Sequence, residues 1–225
     1  MSIFFAPSLQ EAHTHYQLSE EESKHCNRVL RLKEGARIEL VNGIGLHAVA
    51  VLKDAHPKRS LLEIESIVQH APTPTLHIAI APTKNMDRVE WFLEKSTELG
   101  LSKLTFLVCD HNERKHVNMD RLEKIAIAAM KQSKRFYLPQ IEPLEPFADF
   151  VKKHPRAYFG HCAEGSKIPL KNLKTEYPFL IGPEGDFSSQ EIELALKSGY
   201  QAVHMSEFRL RTETAALLAT AALLS

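Results

Sequence analysis

The chain has 225 residues, 44% of them hydrophobic, with 28 basic and 28 acidic side chains in balance. That length and apolar content suffice for one large hydrophobic core or two modest ones and exclude a disordered chain, while the zero formal net charge excludes a global positive field, so any nucleic-acid contact has to come from local patches. No apolar run approaches the roughly 20 residues a membrane-spanning helix needs, and the N-terminus lacks a basic start followed by a cleavable apolar stretch, which predicts a soluble, cytoplasmic protein with no membrane partner.

In chain order, a short extended start leads to Ser19 and the acids Glu20, Glu21 and Glu22, a hydroxyl cap followed by first-turn carboxylates that predicts a helix running to about Val29. Residues 36–41 and 46–52 then flank Asn42-Gly43, the pattern of a β-hairpin, and 60–68 reads as a further strand. Residues 1–70 are therefore expected to form a small β-rich barrel or sheet. Pro72 and Pro74, in a stretch without apolar period, mark a linker. Beyond it, 71–225 alternates. A buried strand at 76–81 precedes a helix whose Val89, Phe92, Leu93, Ser96 and Leu99 share a face and which ends at Gly100. A strand at 103–109, a helix from about Met119 to Arg135, a short helix near 145–153, strands at 157–159 and 178–181, a helix at 189–197, a strand at 202–205 and an Ala/Leu helix from about Glu213 follow. This alternation specifies an α/β domain with a mainly parallel sheet.

Cys26, Cys109 and Cys162 have neither paired nor framework spacing and read as reduced thiols. The 12 histidines show no HExxH or paired ligand spacing, so no metal is expected.

Two segments carry possible chemistry. In the first, an apolar strand runs into Gly182-Pro183-Glu184-Gly185, and Ser188 with Glu191 forms a capping box for the next helix. A tight turn at the carboxyl end of a parallel strand is where open α/β sheets bind ligands, although an ordinary strand-to-helix turn reads the same way. Neither GxGxxG nor a P-loop is present, which disfavours a dehydrogenase or a phosphate-binding NTPase. In the second, Thr212 is placed to N-cap the last helix with Glu213 in its first turn, and Arg209 and Arg211 precede it. Two arginines beside a helix N-terminus suit an anion or RNA phosphate, or else a surface salt bridge.

The run Ile181-Gly-Pro-Glu-Gly-Asp-Phe-Ser188 followed by Arg209-Leu-Arg-Thr-Glu-Thr-Ala215 strongly resembles the C-terminal signature of the ribosomal RNA small subunit methyltransferase E family of SPOUT (trefoil-knot) methyltransferases. His25-Cys-Asn-Arg-Val-Leu-Arg31 with Gly35 and Asn42-Gly43 resembles that family's N-terminal PUA-like domain. Lys84 with the run from Glu90 to Gly100, and Gln132-Ser-Lys-Arg135, resemble two of its further segments.

The resemblance implies a PUA-like RNA-binding β-barrel domain over 1–70 and an α/β-knot catalytic domain over 71–225. It also implies a homodimer, S-adenosylmethionine as cofactor, and methylation of N3 of one uridine in 16S ribosomal RNA of the small subunit. On that pattern the cofactor lies against Gly160 and His161, against Ile181, Gly182, Pro183, Glu184 and Gly185, and against Met205, Ser206, Arg209, Leu210 and Thr212. The chain departs from the pattern at Asp186, where a second glycine is usual, and at Met205-Ser206, where Leu-Gly is usual.

Uridine N3 carries a proton, so catalysis needs a base or donors aimed at the ring carbonyls. Arg211 is assigned to the uridinate or a neighbouring phosphate, and Glu213 to proton acceptance or to orienting Arg211. Candidate RNA contacts are His25, Arg28, Arg31 and Lys33, with Arg37 beside them, then Lys84, and then a group at Arg114, Lys115, Lys131, Lys134 and Arg135; each group reads equally as a solvated charged face. Two competing functions stay open: ribose 2′-O-methylation of ribosomal or transfer RNA on the same fold, and a catalytically silent RNA-binding or assembly protein.

Overall fold

The computed structural model describes residues 1–171 and 173–224, so Ser225, the expected end of the last helix, lies outside the described residues. The chain forms two compact units, one of Met1–Thr73 with Met130–Leu138 and one of Pro74–Ala129 with Pro139–Ser225.

In the first unit the elements are β1 (Ile3–Phe5), β2 (His15–Gln17), α1 (Glu20–Lys24), β3 (Arg37–Val41), β4 (Leu46–Asp54) and β5 (Leu61–Gln69). They build a curled five-stranded sheet of order β1-β3-β4-β5-β2, antiparallel except where β1 runs parallel to β3. Strand β4 alternates buried and partly exposed residues along most of its length, as a strand with one face on a core must, and Phe4, Leu18, Cys26, Ile38, Leu40, Leu52 and Leu62 fill that core. The hairpin forms where Asn42-Gly43 places it: the Asn42 Oδ1 accepts from Ile44 N and Leu46 N, both at 2.9 Å, and Gly43 takes φ 79°. Ser19 caps α1 as expected, but the helix does not continue to Val29 as an α-helix. It passes at His25–Val29 into a π turn, in which the Leu30 amide donates to His25 O. The segment 130–138 joins this unit through the Lys131–Glu22 ion pair of 2.6 Å and the stacking of Phe136 on His70 at 3.7 Å.

The second unit contains β6 (His77–Ile80), α2 (Met86–Leu99), β7 (Lys103–Val108), α3 (Met119–Gln132, whose end from Met130 belongs to the first unit), β8 (Gln140–Pro146), α4 (Phe147–Lys153), β9 (Tyr158–Gly160), β10 (Ile168–Pro169), β11 (Phe179–Ile181), α5 (Ser189–Lys197), β12 (Gln201–His204) and α6 (Thr212–Leu224). Its seven strands lie in the order β10-β12-β9-β11-β6-β7-β8, and every neighbouring pair is parallel. The order is consistent with a knotted α/β fold, because β11 lies between β9 and β6, and β12 lies outside them beside β9. Helix α2 stops where Gly100 takes φ 115° and its amide closes on Ser96 O and Thr97 O, and α5 starts with both halves of the Ser188/Glu191 capping box in place. Helix α2 packs on α6, which lies against β6 and β11, while α4 packs on α5, β7 and β8.

Strand register levels one edge of this sheet. Ile181 pairs with Gly160 on one side and Ile80 on the other, and Gly160 pairs with Val203. The carboxyl ends of β9, β11 and β12 are therefore level, and the loops leaving them emerge side by side.

Candidate active site

Those three loops enclose a cavity of about 320 Å³, lined by Gly160, His161 and Cys162, by Ile181 to Glu184 with Asp186, and by Met205, Phe208 to Thr212 and Ala215, with Arg88 of α2 completing the wall. Ten of the twelve residues expected around a cofactor face it: Gly160, His161, Ile181, Gly182, Pro183, Glu184, Met205, Arg209, Leu210 and Thr212. Gly185 and Ser206 do not line it. A Cβ on Gly185 would stand 3.0 Å from the His111 Cβ, so this glycine answers to packing against His111, and the Ser206 Oγ is turned to accept from Phe208 N at 3.1 Å.

The loops are tied to one another. Thr212 does not cap α6, for which it was the expected residue: it is the first helical residue, the Ala215 amide donates to Arg211 O, and the Thr212 hydroxyl donates to Gly182 O at 3.2 Å. The acceptor that this hydroxyl reaches lies in the loop after β11, so its hydrogen bond joins two loops instead of closing a helix. Arg209 donates through Nη2 to Glu184 O at 3.1 Å, and the Glu184 carboxylate accepts from Lys84 N at 3.0 Å. Asp186 holds φ +65°, a left-handed value that ordinarily favours glycine; its carboxylate accepts from Cys162 N at 2.7 Å and from Phe187 N at 2.8 Å, latching the β9 loop to the β11 loop.

One ring nitrogen of His161 is left unpaired. This Nδ1 is buried, and burial, then the Lys167 ammonium, hold the residue's pKa below the ordinary histidine value against an opposing pull from Asp186. It therefore faces the cavity as a neutral imidazole near pH 7.

Of the two expected catalytic residues, Arg211 lines the cavity and is exposed. Glu213 does not line it; its carboxylate is buried, pairs with Arg88 Nε at 3.8 Å and leaves Oε2 without a partner. The expected partner Arg211 is not the one it finds. Nothing in the sequence singled out Arg88, a cation in the first turn of an ordinary amphipathic helix.

Among the expected RNA contacts in the first unit, His25 and Arg28 line an open hollow with Lys24 and Val29, Arg31 and Lys33 are exposed, Arg37 is engaged by Glu65 at 2.6 Å, and Arg135 is partly desolvated, which lowers its pKa. Lys131 is neutralised by Glu22. In the second unit Lys84 and Arg114 line a hollow with Lys115 and His116, but Lys84 pairs with Glu113 at 2.9 Å and Arg114 donates to Lys84 O at 2.9 Å. The single block expected at 114–135 is thus split, with Arg114 and Lys115 in one unit and Lys131 to Arg135 in the other.

A parallel sheet with three tied loops enclosing a cavity at its carboxyl edge is a ligand-binding α/β fold. Residues 69–224 match the RNA methyltransferase domain family and residues 18–65 match the RNA methyltransferase PUA domain family. The chain is similar to a probable rRNA-methyltransferase from Porphyromonas gingivalis, at 34% identity and a TM-score of 0.85, with 98% of this chain and 96% of that one covered. It is also similar to a ribosomal RNA small subunit methyltransferase E from Neisseria gonorrhoeae solved bound to S-adenosyl methionine, at 25% identity and a TM-score of 0.85, covering 99% and 96%. The ribosomal RNA small subunit methyltransferase E of Synechocystis is 30% identical over 88% of this chain and 68% of its own length. The chain belongs to the ribosomal RNA small subunit methyltransferase E family.

Proposed function

We propose that this protein transfers a methyl group from S-adenosylmethionine to N3 of one uridine of 16S ribosomal RNA in the small subunit, as a cytoplasmic homodimer. In this reading residues 1–70 form the RNA-binding domain, completed by Met130–Leu138, and the rest of 71–225 forms the catalytic domain. The observation that carries it is the convergence of Gly160, Gly182 and Leu210 on one cavity, tied across by Thr212 and Asp186.

The residues present fit the cofactor. The volume lies at the lower end of the range for small-molecule sites, roughly 300–1,000 Å³. Ile181, Met205 and Leu210 offer apolar surface to a purine ring, the loop backbone offers polar contacts, and the carboxylates of Asp186 and Glu184 favour the cationic sulfonium and ammonium. When bound, the cofactor supplies an electrophilic methyl carbon, and the reaction exchanges the N3 proton for that methyl.

The chain's own residues have to make N3 reactive. The Arg211 guanidinium stabilises the negative charge that spreads onto the uracil carbonyls as the proton leaves, or holds the adjoining phosphate. Because N3 is on the Watson–Crick edge, the uridine must be unpaired or flipped out. The aromatic ring of Phe208, 84% exposed at the cavity wall, offers such a base a stacking face. Trp91, Leu218 and Leu224 are exposed on α2 and α6, which favours burial of these helices against a second copy.

The test is methylation of unmodified small subunits and of naked 16S RNA in vitro, followed by nucleoside mass spectrometry. N3-methyluridine is expected, with subunits the better substrate. A ribose methyl would select the sister activity, and no methyl group on either RNA would reject an enzymatic role.

A further inference from the structure

Two carboxylates and three guanidiniums line the cavity, and the Arg209 guanidinium is already engaged by Glu184 O. Asp186 and Glu184 come from the turn after β11, whereas Arg211 precedes α6 and Arg88 projects from the first turn of α2. A cation at a helix N-terminus opposes the helix dipole, and Asn85 and Asp87 already satisfy that end of α2, so Arg88 contributes nothing to starting its helix. Across from it, Glu213 in the first turn of α6 is buried to 8% exposure with one oxygen unpartnered, a costly arrangement for a carboxylate unless it holds a charge in place. The contact runs through Arg88 Nε, and no side-chain hydrogen bond occupies the two terminal amino groups among the described residues.

A further guanidinium in the wall of the cavity repels a cationic methyl donor and attracts an acceptor that becomes anionic. Resting on the uridine-N3 reading, we propose that Arg88 is a catalytic residue that donates to a carbonyl of the acceptor uracil, and that Glu213 is its positioning residue and does not take the N3 proton, which leaves to solvent water. The planar fork of Arg88 presents parallel N–H groups to the O4 or O2 edge beside N3, where charge accumulates on deprotonation. The Glu213 carboxylate, 3.8 Å from Nε, draws the fork toward α6 by charge. Arg88 and Glu213 thereby act as one unit.

The experiment measures N3-methyluridine formation on small subunits, with kcat and KM separated, for wild type, Arg88→Ala, Arg88→Lys, Glu213→Gln and the double variant Arg88→Ala/Glu213→Gln. Cofactor affinity by calorimetry and thermal stability are measured on each. The expected pattern is a kcat loss on the order of 100-fold for Arg88→Ala, partial recovery in Arg88→Lys, and an intermediate loss for Glu213→Gln. The double variant should be no worse than Arg88→Ala, with cofactor affinity unchanged throughout. The pH at which kcat rises should move upward in Arg88→Ala, since losing a cation makes N3 harder to deprotonate. Overturning results are a Glu213→Gln loss that multiplies with that of Arg88→Ala, as for an independent base, or a tenfold weaker cofactor affinity in Arg88→Ala, which would assign the guanidinium to the methionine carboxylate. Unaltered kcat in Arg88→Ala would also overturn it. A wild type that makes no N3-methyluridine fails the underlying reading instead, before any variant is compared.

Discussion

Asp186→Ala tests how the cavity is held together. The native carboxylate accepts two backbone amides, Cys162 N at 2.7 Å and Phe187 N at 2.8 Å, and hydrogen bonds to a charged group contribute about 1.5–3 kcal/mol each in good geometry. Asp186 is half-buried and Cys162 exposed, so water replaces part of what is lost and the lower end applies. Alanine also inherits φ +65°, at a cost of roughly 1–2 kcal/mol that Asp, with its local hydrogen bond to Phe187 N, partly offsets. The expected destabilisation is about 3–4 kcal/mol by urea denaturation. Freed from the latch, His161 and Cys162 populate the binding-competent wall less often; if the Cys162 bond alone contributes about 1.4 kcal/mol, affinity for S-adenosylmethionine falls about tenfold. Asp186→Gly separates the two effects, because glycine relieves the backbone cost and regains about 1 kcal/mol of stability without restoring the latch. The reasoning is refuted if Asp186→Ala binds the cofactor as wild type does, or if Asp186→Gly recovers affinity along with stability.

Three further outcomes are expected. Thr212→Val, nearly isosteric, leaves the Gly182 carbonyl without its donor and costs about 1 kcal/mol in denaturant unfolding; an unchanged midpoint would show that the hydroxyl bridge is idle. Phe208→Ala raises KM for the RNA substrate by roughly 5- to 100-fold, as removal of a stacking face does, and leaves the thermal midpoint within a degree or so because the ring is exposed; a shift in stability with unaltered KM would contradict the stacking role. His77 is buried against Thr105 and its pKa is pushed down to about 3, first by desolvation and then by His154 and Lys103. The unfolded chain binds this proton below the ordinary histidine value of 6.5 and the folded one does not, so stability falls as pH drops from 6.5 toward 3, with a slope approaching about 1.4 kcal/mol per pH unit from this group. Equilibrium unfolding of wild type and His77→Phe across that window checks it, and equal slopes would contradict the assignment.

The sequence was most legible where local chemistry and tertiary structure agree. Asn42-Gly43, Gly100 and the Ser188/Glu191 box each mark a boundary with a side chain or a φ angle that the fold then uses. Strand β8 escaped notice because Gln140–Pro146 is polar and contains Pro143 and Pro146, which only an edge position tolerates, and it is an edge strand. The two-residue β10, at the other edge, has no period to read. The return of Met130–Leu138 to the first unit rests on contacts such as Lys131 with Glu22, far apart in sequence, which periodicity does not encode.

The site divides along the same line. Gly182 and Leu210 belong to the runs that carry the family resemblance, Gly160 is placed by that resemblance alone, and the register of β9, β11 and β12 assembles all three. The Thr212 hydroxyl, a plausible cap in one dimension, is drawn to Gly182 O by a packing that sequence spacing does not contain. The same holds for Glu213, whose neighbour across the α2–α6 contact is Arg88 and not the adjacent Arg211.

The most direct measurement is a crystal structure of the full-length protein grown with S-adenosylmethionine. The sulfonium and adenine are expected between the loops that carry Gly160, Gly182 and Leu210, with the Thr212 and Asp186 bridges intact. Cofactor density anywhere else, with that cavity left to solvent, would contradict the assignment.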